Sequence, residues 1–176
     1  MEKKVVIYCS ASKKIDPKFN AAAREVTRAL HSLGYAIVSG GGAVGSMGAI
    51  TDESIKCGGC HVAVLPSFMK GLENPGVSKV VWTETMSERK EKMRDGTCAA
   101  IALPGGIGTL DELAETHTLR KLGRYKGDVY ALNFDGFYNP LIELLDHFVA
   151  TGMLEPKDRE LIKFPATPEE LIAYFK

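Results

Sequence analysis

Two glycine-rich segments, each lying between a short apolar run and an amphipathic stretch, constrain the fold of this chain most strongly. The first, Gly40–Gly45, follows the apolar run Tyr35–Ser39, and the second, Pro104–Gly108, follows Thr97–Leu103. Apolar runs of this length are typical of buried strands, and apolar residues at helical spacing are typical of amphipathic helices. The order strand, glycine loop, helix is therefore present twice.

The same alternation continues along the whole chain. Six strands are predicted: Lys3–Cys9, Tyr35–Ser39, His61–Leu65, Lys79–Thr83, Thr97–Leu103 and Asp128–Phe134. Helices are predicted from Pro17 to Gly34, from Ser46 for about a dozen residues, over Glu84–Asp95 and Thr109–Leu122, around Leu141–Val149, and after Thr167. Ser67–Ser78 is predicted to be a loop, of the length that often forms a functional lid. The pattern predicts an α/β fold with one doubly wound, Rossmann-like parallel sheet, helices on both faces, and a single nucleotide-binding domain over residues 1–176.

Charge and hydropathy exclude several classes of partner. The 22 basic and 22 acidic residues give a formal net charge of zero, whereas nucleic-acid binders normally carry a basic excess. No apolar run approaches the ~20 residues of a membrane span, and the N-terminus lacks the pattern of a signal peptide. We therefore expect a cytoplasmic protein that binds neither nucleic acid nor membrane.

The cysteine pattern gives weak evidence for a metal. Cys57 and Cys60 form a CxxC motif with His61 beside it, but no second motif of this kind follows. The preferred interpretation is structural: Cys57 ends a helix, two glycines turn the chain, and Cys60 precedes a strand. No metal is expected.

The glycine loops are expected to bind an anion. Both leave the carboxyl end of a predicted strand, where ligands of open parallel sheets bind. Glycine lets the backbone approach a phosphate, and a helix N-terminus offers free N–H groups. The structural alternative is that they only make tight turns. Gly40, Gly42 and Gly45 spell GxGxxG, yet no acidic residue ends the next strand, which argues against NAD.

Charged residues lie beside these loops, and each has a simpler explanation. Glu112 follows the second glycine loop, where an acidic side chain often only interacts with the helix dipole. Arg89 and Lys90 lie on the short helix that precedes the strand Thr97–Leu103, and their charged run is equally typical of a solvated face.

Several longer motifs resemble one family. Pro104–Glu112 reads PGGIGTLDE and matches the PGGxGTxxE signature of the LOG (Lonely Guy) family. Met86–Met93 resembles its M-H-x-R-K-x-x-M, and Gly40–Gly48 is close to its GGGxxGLMG. With Leu132–Tyr138, the resemblance extends in order over nearly the whole chain.

The resemblance implies an activity, namely release of cytokinin bases from riboside 5′-monophosphates by a phosphoribohydrolase. It implies Arg89 and Glu112 as catalytic residues, a nucleoside 5′-monophosphate as substrate, a homodimer, and no cofactor. The implied substrate-binding residues are Gly41, Gly42, Glu73, Arg89, Lys90, Gly105, Gly106, Ile107, Gly108, Thr109, Leu110 and Thr118. The division of roles between Arg89 and Glu112, and the choice between adenine and an N6-substituted adenine, stay open.

The sequence departs from the family pattern at positions that bear on base specificity. Ser87 stands where the family usually has His, and Ser46 stands in place of Leu. Such proteins have also been called lysine decarboxylases, but no lysine here has a convincing context for pyridoxal phosphate. The alternative function is a non-catalytic carrier of a nucleotide or of the molybdenum cofactor, which needs the glycine loops but not a catalytic carboxylate.

Overall fold

The computed structural model describes residues 3–176, and its strands form one parallel sheet. The strands are β1 (Lys4–Tyr8), β2 (Ala36–Ser39), β3 (His61–Pro66), β4 (Lys79–Thr83), β5 (Ala99–Ala102), β6 (Asp128–Ala131) and β7 (Ile162–Lys163). The helices are α1 (Pro17–Ser32), α2 (Gly45–Cys57), α3 (Met86–Arg94), α4 (Ile107–Lys121), α5 (Asn139–Ala150), α6 (Pro156–Arg159) and α7 (Pro168–Ala173). The strand order is β4-β3-β2-β1-β5-β6-β7, so the direction of winding reverses between β1 and β5.

Alternate residues of the central strand face the two sides of the sheet. Val5 and Ile7 pack in a core formed with α1, α2 and α7, while Val6 and Tyr8 pack in a second core with α3, α4 and α5. All four side chains are essentially inaccessible to solvent. The predicted doubly wound architecture with helices on both faces is therefore confirmed.

Local sequence signals explain the first helix. Asp16 accepts a hydrogen bond from the Lys18 backbone N–H at 3.0 Å, and Pro17 occupies the first turn. The helix ends at Ser32, and Gly34 adopts a φ of 80°, a conformation that favours glycine. The sequence prediction for this helix is confirmed.

Other predicted boundaries need correction. α2 begins at Gly45 and α4 at Ile107, both earlier than predicted. Gly45 has a left-handed φ of 64°, so it turns the chain into α2. β6 ends at Ala131, since Phe134–Gly136 forms a turn of 3₁₀ helix. The sequence prediction missed α6 and β7, which contain 4 and 2 residues and are too short to show periodicity.

The segment after β3 is anchored to the first glycine loop. It starts with one turn of 3₁₀ helix, Ser67–Met69. The Asn74 N–H donates to the Gly41 carbonyl at 2.8 Å, and Glu73 forms a β-bridge with Gly42.

Among residues 3–176, no helix combines the length and the hydrophobicity that a membrane crossing requires.

Candidate active site

The two glycine loops follow the carboxyl ends of β2 and β5, on either side of β1. Because the winding reverses between β1 and β5, a crevice for a ligand is expected at this edge of the sheet. The loops open α2 and α4, and neither helix has a side-chain N-cap. In contrast, α1, α3 and α7 are capped by Asp16, Thr85 and Thr167. α5 and α6 also lack a side-chain cap, and at the start of α2 the Met47 N–H donates to the Ser10 carbonyl at 3.2 Å. The start of α4 is therefore the end beside the crevice whose first-turn N–H groups can bind an anion.

Gly41 is a structural glycine of the first loop. Its N–H donates to the Ser39 hydroxyl at 3.0 Å, and its carbonyl accepts from Asn74. Its φ is 67°, and an added Cβ would lie 2.2 Å from the Ala63 Cβ. Both backbone groups are therefore engaged within the protein, so Gly41 shapes the loop.

A buried histidine supports that loop. The Ser39 hydroxyl lies 2.7 Å from Nε2 of His61, a side chain with no solvent exposure. Burial lowers the pKa of His61 to about 4, so the imidazole is neutral, and its tautomer decides whether Nε2 accepts from the Ser39 hydroxyl or donates to it. With either tautomer the Ser39 oxygen accepts the Gly41 N–H.

Among residues 3–176, no cluster of His, Cys, Asp or Glu has an arrangement that would hold a metal ion.

The second loop combines a tight turn with open space. A Cβ at Gly105 would lie 2.1 Å from the Thr109 hydroxyl, whereas Cβ atoms at Gly106 and Gly108 would meet no other atom within 4 Å. Thr109 is buried, and Ile107 is exposed. The start of α4 is thus open to a ligand along Gly106 and Gly108.

Arg89 and Glu112 form a buried ion pair between α3 and α4. Nη1 of Arg89 donates to Oε1 of Glu112 at 2.8 Å, and the side chains are 9% and 6% exposed. Nε of Arg89 donates to the Val64 carbonyl at 3.0 Å. The geometry brings together the two side chains implied to be catalytic, although they are 23 residues apart in the chain.

The environment of Glu112 opposes its ionisation. Burial raises the pKa of the Glu112 carboxyl above its ordinary value, and the charge and hydrogen bond of Arg89 act in the opposite direction. Arg89 therefore favours the carboxylate in a site that otherwise favours the neutral acid. A carboxyl with this combination of burial and a specific charged partner is a candidate for catalysis.

Lys90 contacts α4. Its ammonium pairs with Glu115 and, at 3.1 Å, with Asp111. Hydrogen bonding to Glu115 is the main cause that raises the pKa of Lys90, so the side chain stays charged. Arg94, whose side chain is 8% exposed, donates to Glu115 at 2.6 Å. The sequence analysis missed the roles of Arg94 and Glu115, for which the only signal was their spacing of four and three residues from Lys90 and Glu112.

The remaining implied residues lie at different distances from this pair. Glu73 reaches the first loop through its bridge to Gly42, and its carboxylate accepts from the Gly71 N–H at 2.6 Å. Leu110 is partly exposed in the first turns of α4. Thr118 is exposed and donates to the Ala114 carbonyl of its own helix. It lies six residues after Glu112, roughly 9 Å along the helix axis, so this chain alone does not bring Thr118 to the pair.

The volume of a cavity does not identify this site. A groove of about 820 Å³ lies beside α3 and α4, lined by Arg94, Thr97 and Tyr125 among others, but Arg89 and Glu112 do not line it. A smaller cavity of about 330 Å³ lies at the start of α2. The candidate site is therefore identified by its buried charged pair and by the open start of α4 beside it.

Comparisons with solved structures show the fold. The molybdenum cofactor binding protein from Rippkaea orientalis superposes with a TM-score of 0.74 at 21% identity, over 99% of this chain and 96% of that chain. The molybdenum cofactor carrier protein from Chlamydomonas reinhardtii gives 0.75 at 19% identity, over the same shares.

Comparisons of sequence are more specific. A family model described as possible lysine decarboxylase matches residues 47–175. The probable cytokinin riboside 5′-monophosphate phosphoribohydrolase LOGL2 of Oryza sativa subsp. japonica is 37% identical over 173 residues, which is 97% of this chain and 70% of the relative. The cytokinin riboside 5′-monophosphate phosphoribohydrolase LOG3 of Arabidopsis thaliana is 35% identical over 97% of this chain and 80% of its own length. This chain therefore belongs to the LOG family.

Proposed function

We propose that the protein hydrolyses the N-glycosidic bond of adenosine 5′-monophosphates, including N6-modified ones, to free base and ribose 5-phosphate. The observation that carries this proposal is the buried Arg89–Glu112 pair, 2.8 Å apart, beside the uncapped start of α4. The curated relatives named as phosphoribohydrolases support the same reaction.

The uncapped start of α4 is the proposed phosphate site. The loop residues Gly106 and Gly108 leave open space there, and the N–H groups of the first helical turn carry partial positive charge. An anion held at this point would place the ribose toward Glu112, one turn further along the helix. The 5′-phosphate would then provide the main interaction that positions the substrate.

Glu112 is the proposed catalytic carboxylate. Cleavage of the bond between C1′ and the base nitrogen builds positive charge on the ribose, as in glycoside hydrolysis. The carboxylate stabilises that charge and accepts a proton from water, whose oxygen bonds to C1′. The base nitrogen leaves with the electron pair of the broken bond and takes up the proton that Glu112 accepted, which restores the carboxylate. Burial raises the pKa of Glu112, and the charge and hydrogen bond of Arg89 act against that rise and favour the carboxylate. This step needs no redox change.

The alternative is a carrier that binds a nucleotide or the molybdenum cofactor without hydrolysis. Its support is the fold shared with two such proteins at TM-scores of 0.74 and 0.75. A shared fold does not fix function. A carrier does not require a buried Arg–Glu pair, which is why the hydrolase is favoured.

Base release from a panel of nucleoside 5′-monophosphates tests the proposal. We expect free base and ribose 5-phosphate from AMP or an N6-substituted AMP. Glu112→Gln should reduce turnover by ~10²–10³-fold, the typical effect of losing one well-placed electrostatic partner. Glu91→Gln, an exposed residue on α3, is the matched control and should keep wild-type turnover. No base release by the wild type, or near-normal turnover by Glu112→Gln, would refute the proposal.

The homodimer and the cytoplasmic location expected from the sequence stay predictions. Cyclic dimers are the commonest oligomers, and the family resemblance implies one. Light scattering of the active protein at micromolar concentration should give twice the chain mass of 19.1 kDa, and a fully active monomer would contradict this expectation.

A further inference from the structure

The guanidinium of Arg89 is enclosed on three sides. Nε donates to the Val64 carbonyl, and Nη1 donates to Glu112. The third side is Gly40, where an added Cβ would lie only 2.4 Å from Nη2 of Arg89. Contacts this short do not occur in folded proteins, so the guanidinium occupies the space that a side chain at position 40 would need.

Gly40 must be glycine for a different reason from Gly41 and Gly45. Gly41 and Gly45 have φ values of 67° and 64°, a backbone conformation that other residues rarely adopt. Gly40 has no such φ, and the other near contacts of an added Cβ, at 3.1–3.2 Å, are with the end of the Met47 side chain. Its backbone would accept alanine. The requirement for glycine is set by the space that Arg89 occupies.

We propose that Gly40 is a positioning residue, whose missing side chain lets the Arg89 guanidinium lie against Glu112. The catalytic consequence rests on the proposed hydrolase function. The obstacle to a methyl group at position 40 is the far end of a flexible side chain, so Arg89 would move before the backbone did. Such a movement would weaken the contact of 2.8 Å between Arg89 and Glu112 while leaving the phosphate site at α4 unchanged.

Gly40→Ala therefore has a specific expected effect. Turnover should fall by roughly 10²-fold, the scale associated with a misplacement of about 1 Å, while KM for AMP stays near wild type. The acid limb of the rate profile should move to higher pH, because Arg89 opposes the raised pKa of Glu112. The melting temperature should change little. If Gly40 had only a structural role, Gly40→Ala would lower the melting temperature and leave the pH dependence of the rate unchanged.

The chain offers a matched control at Gly76. An added Cβ there would also lie 2.4 Å from the end of a flexible side chain, Ile55, and Gly76 has no left-handed φ either. Gly76→Ala thus introduces a comparable overlap away from Arg89. Its turnover should stay within about twofold of wild type, whereas Gly40→Ala should not.

A double-mutant cycle tests whether Gly40 acts through Arg89. In an Arg89→Ala background, Gly40→Ala should cause no further loss, because the obstructing guanidinium is absent. If Gly40→Ala alone fails to fold, the same double variant should fold, since the overlap with Nη2 is removed. Additive losses, or a double variant that also fails to fold, would overturn the proposal.

An NMR measurement separates this inference from the proposed function. The Nε–H of Arg89, bonded to the Val64 carbonyl, should exchange slowly with water in the wild type and rapidly in Gly40→Ala. This result would stand even if the wild type released no base, in which case only the hydrolase proposal fails. Equal exchange in both proteins, together with equal turnover in Gly40→Ala and Gly76→Ala, would overturn the positioning role.

Discussion

Glu112 is buried in an environment that disfavours the ionised form of its carboxyl group. The side chain is 6% exposed, and burial raises its pKa despite the neighbouring Arg89. A carboxyl whose folded pKa exceeds its unfolded value, about 4.3, stabilises the fold in its protonated form. That contribution is complete below the unfolded pKa and is lost as pH rises through the folded pKa. The ionised form that we assign to catalysis thus opposes stability.

This sign leads to a prediction for Glu112→Gln. Glutamine stays neutral at every pH, so the variant does not lose the stability that the wild type loses on ionisation. The free energy of unfolding of the variant, measured relative to the wild type by urea denaturation, should increase between pH 4 and pH 8. Glu91→Gln, on an exposed side chain, should show no such trend. A relative stability that falls with pH would mean that the pKa of Glu112 is lowered.

The sequence predicted which individual residues belong to the candidate site, but it did not predict all of their contacts. The resemblance to the family motifs singled out Arg89 and Glu112, and the structure places them in direct contact. It did not identify the Val64 carbonyl as a partner of Arg89, because a backbone acceptor leaves no mark on residue type. Gly41 was expected to bind substrate, but both of its backbone groups are engaged within the protein, which no motif indicates.

The helices α3 and α4 are joined by a second set of charges beside the candidate pair. Glu115 accepts from Arg94 at 2.6 Å and also pairs with Lys90. Although partial burial opposes it, hydrogen bonding from Lys90 and Arg94 lowers the pKa of Glu115, so the carboxylate stays ionised. Because Arg89 and Glu112 lie on the same two helices, this cluster fixes the spacing of the candidate catalytic pair.

Removal of Glu115 should therefore destabilise the protein. Glu115→Ala leaves the buried Arg94 guanidinium, whose Nη1 has no partner among residues 3–176, without its carboxylate. Loss of a hydrogen bond to a charged group costs about 1.5–3 kcal/mol, which urea denaturation at neutral pH would detect. Glu155→Ala removes the exposed pair with Lys157, which solvent screens, and should leave the denaturation midpoint unchanged. Equal effects of the two variants would contradict the role assigned to Glu115.

Hydrophobic periodicity predicted the long helices and the central strands. The capping residues that mark where a helix begins and ends were present for some helices and absent for others. α1 carries both an N-cap and a C-terminal glycine, and its bounds were predicted closely. α4 starts at Ile107, since its N-cap is Gly106, which has no side chain to mark it. The uncapped start that obscured this boundary is the same feature that makes it a candidate phosphate site.

Across the whole molecule, the sheet topology places distant segments at one edge. The two glycine loops are separated by about sixty residues, yet both follow strands adjacent to β1, where the winding reverses. The alternation of strands and helices predicted a parallel sheet, because such a pattern has few other solutions. It did not predict the strand order, which depends on packing between the faces of the sheet. Nor did it predict that the segment after β3 is held on Gly41 and Gly42.

A test of the crevice as a whole uses the start of α4. Gly108 lies in the first turn of this helix, and an added Cβ there would meet no other atom within 4 Å. In Gly108→Asp, a carboxylate takes the position proposed for the substrate phosphate. Because an acidic side chain in the first turn interacts favourably with the helix dipole, the unliganded variant should be more stable by about 0.3–1 kcal/mol.

The response to ligand should change in the opposite direction. For Glu112→Gln, which binds substrate but turns it over slowly, AMP at a hundred times Kd should stabilise the fold by about 2.7 kcal/mol. For a chain of this size that shift corresponds to a rise in Tm of roughly 5–11 °C. Adenosine at the same concentration should give a much smaller rise, because it lacks the phosphate. Combining Gly108→Asp with Glu112→Gln should abolish the AMP shift while keeping the higher starting Tm. Equal shifts with AMP and adenosine, or an unchanged AMP shift in the double variant, would place the phosphate elsewhere.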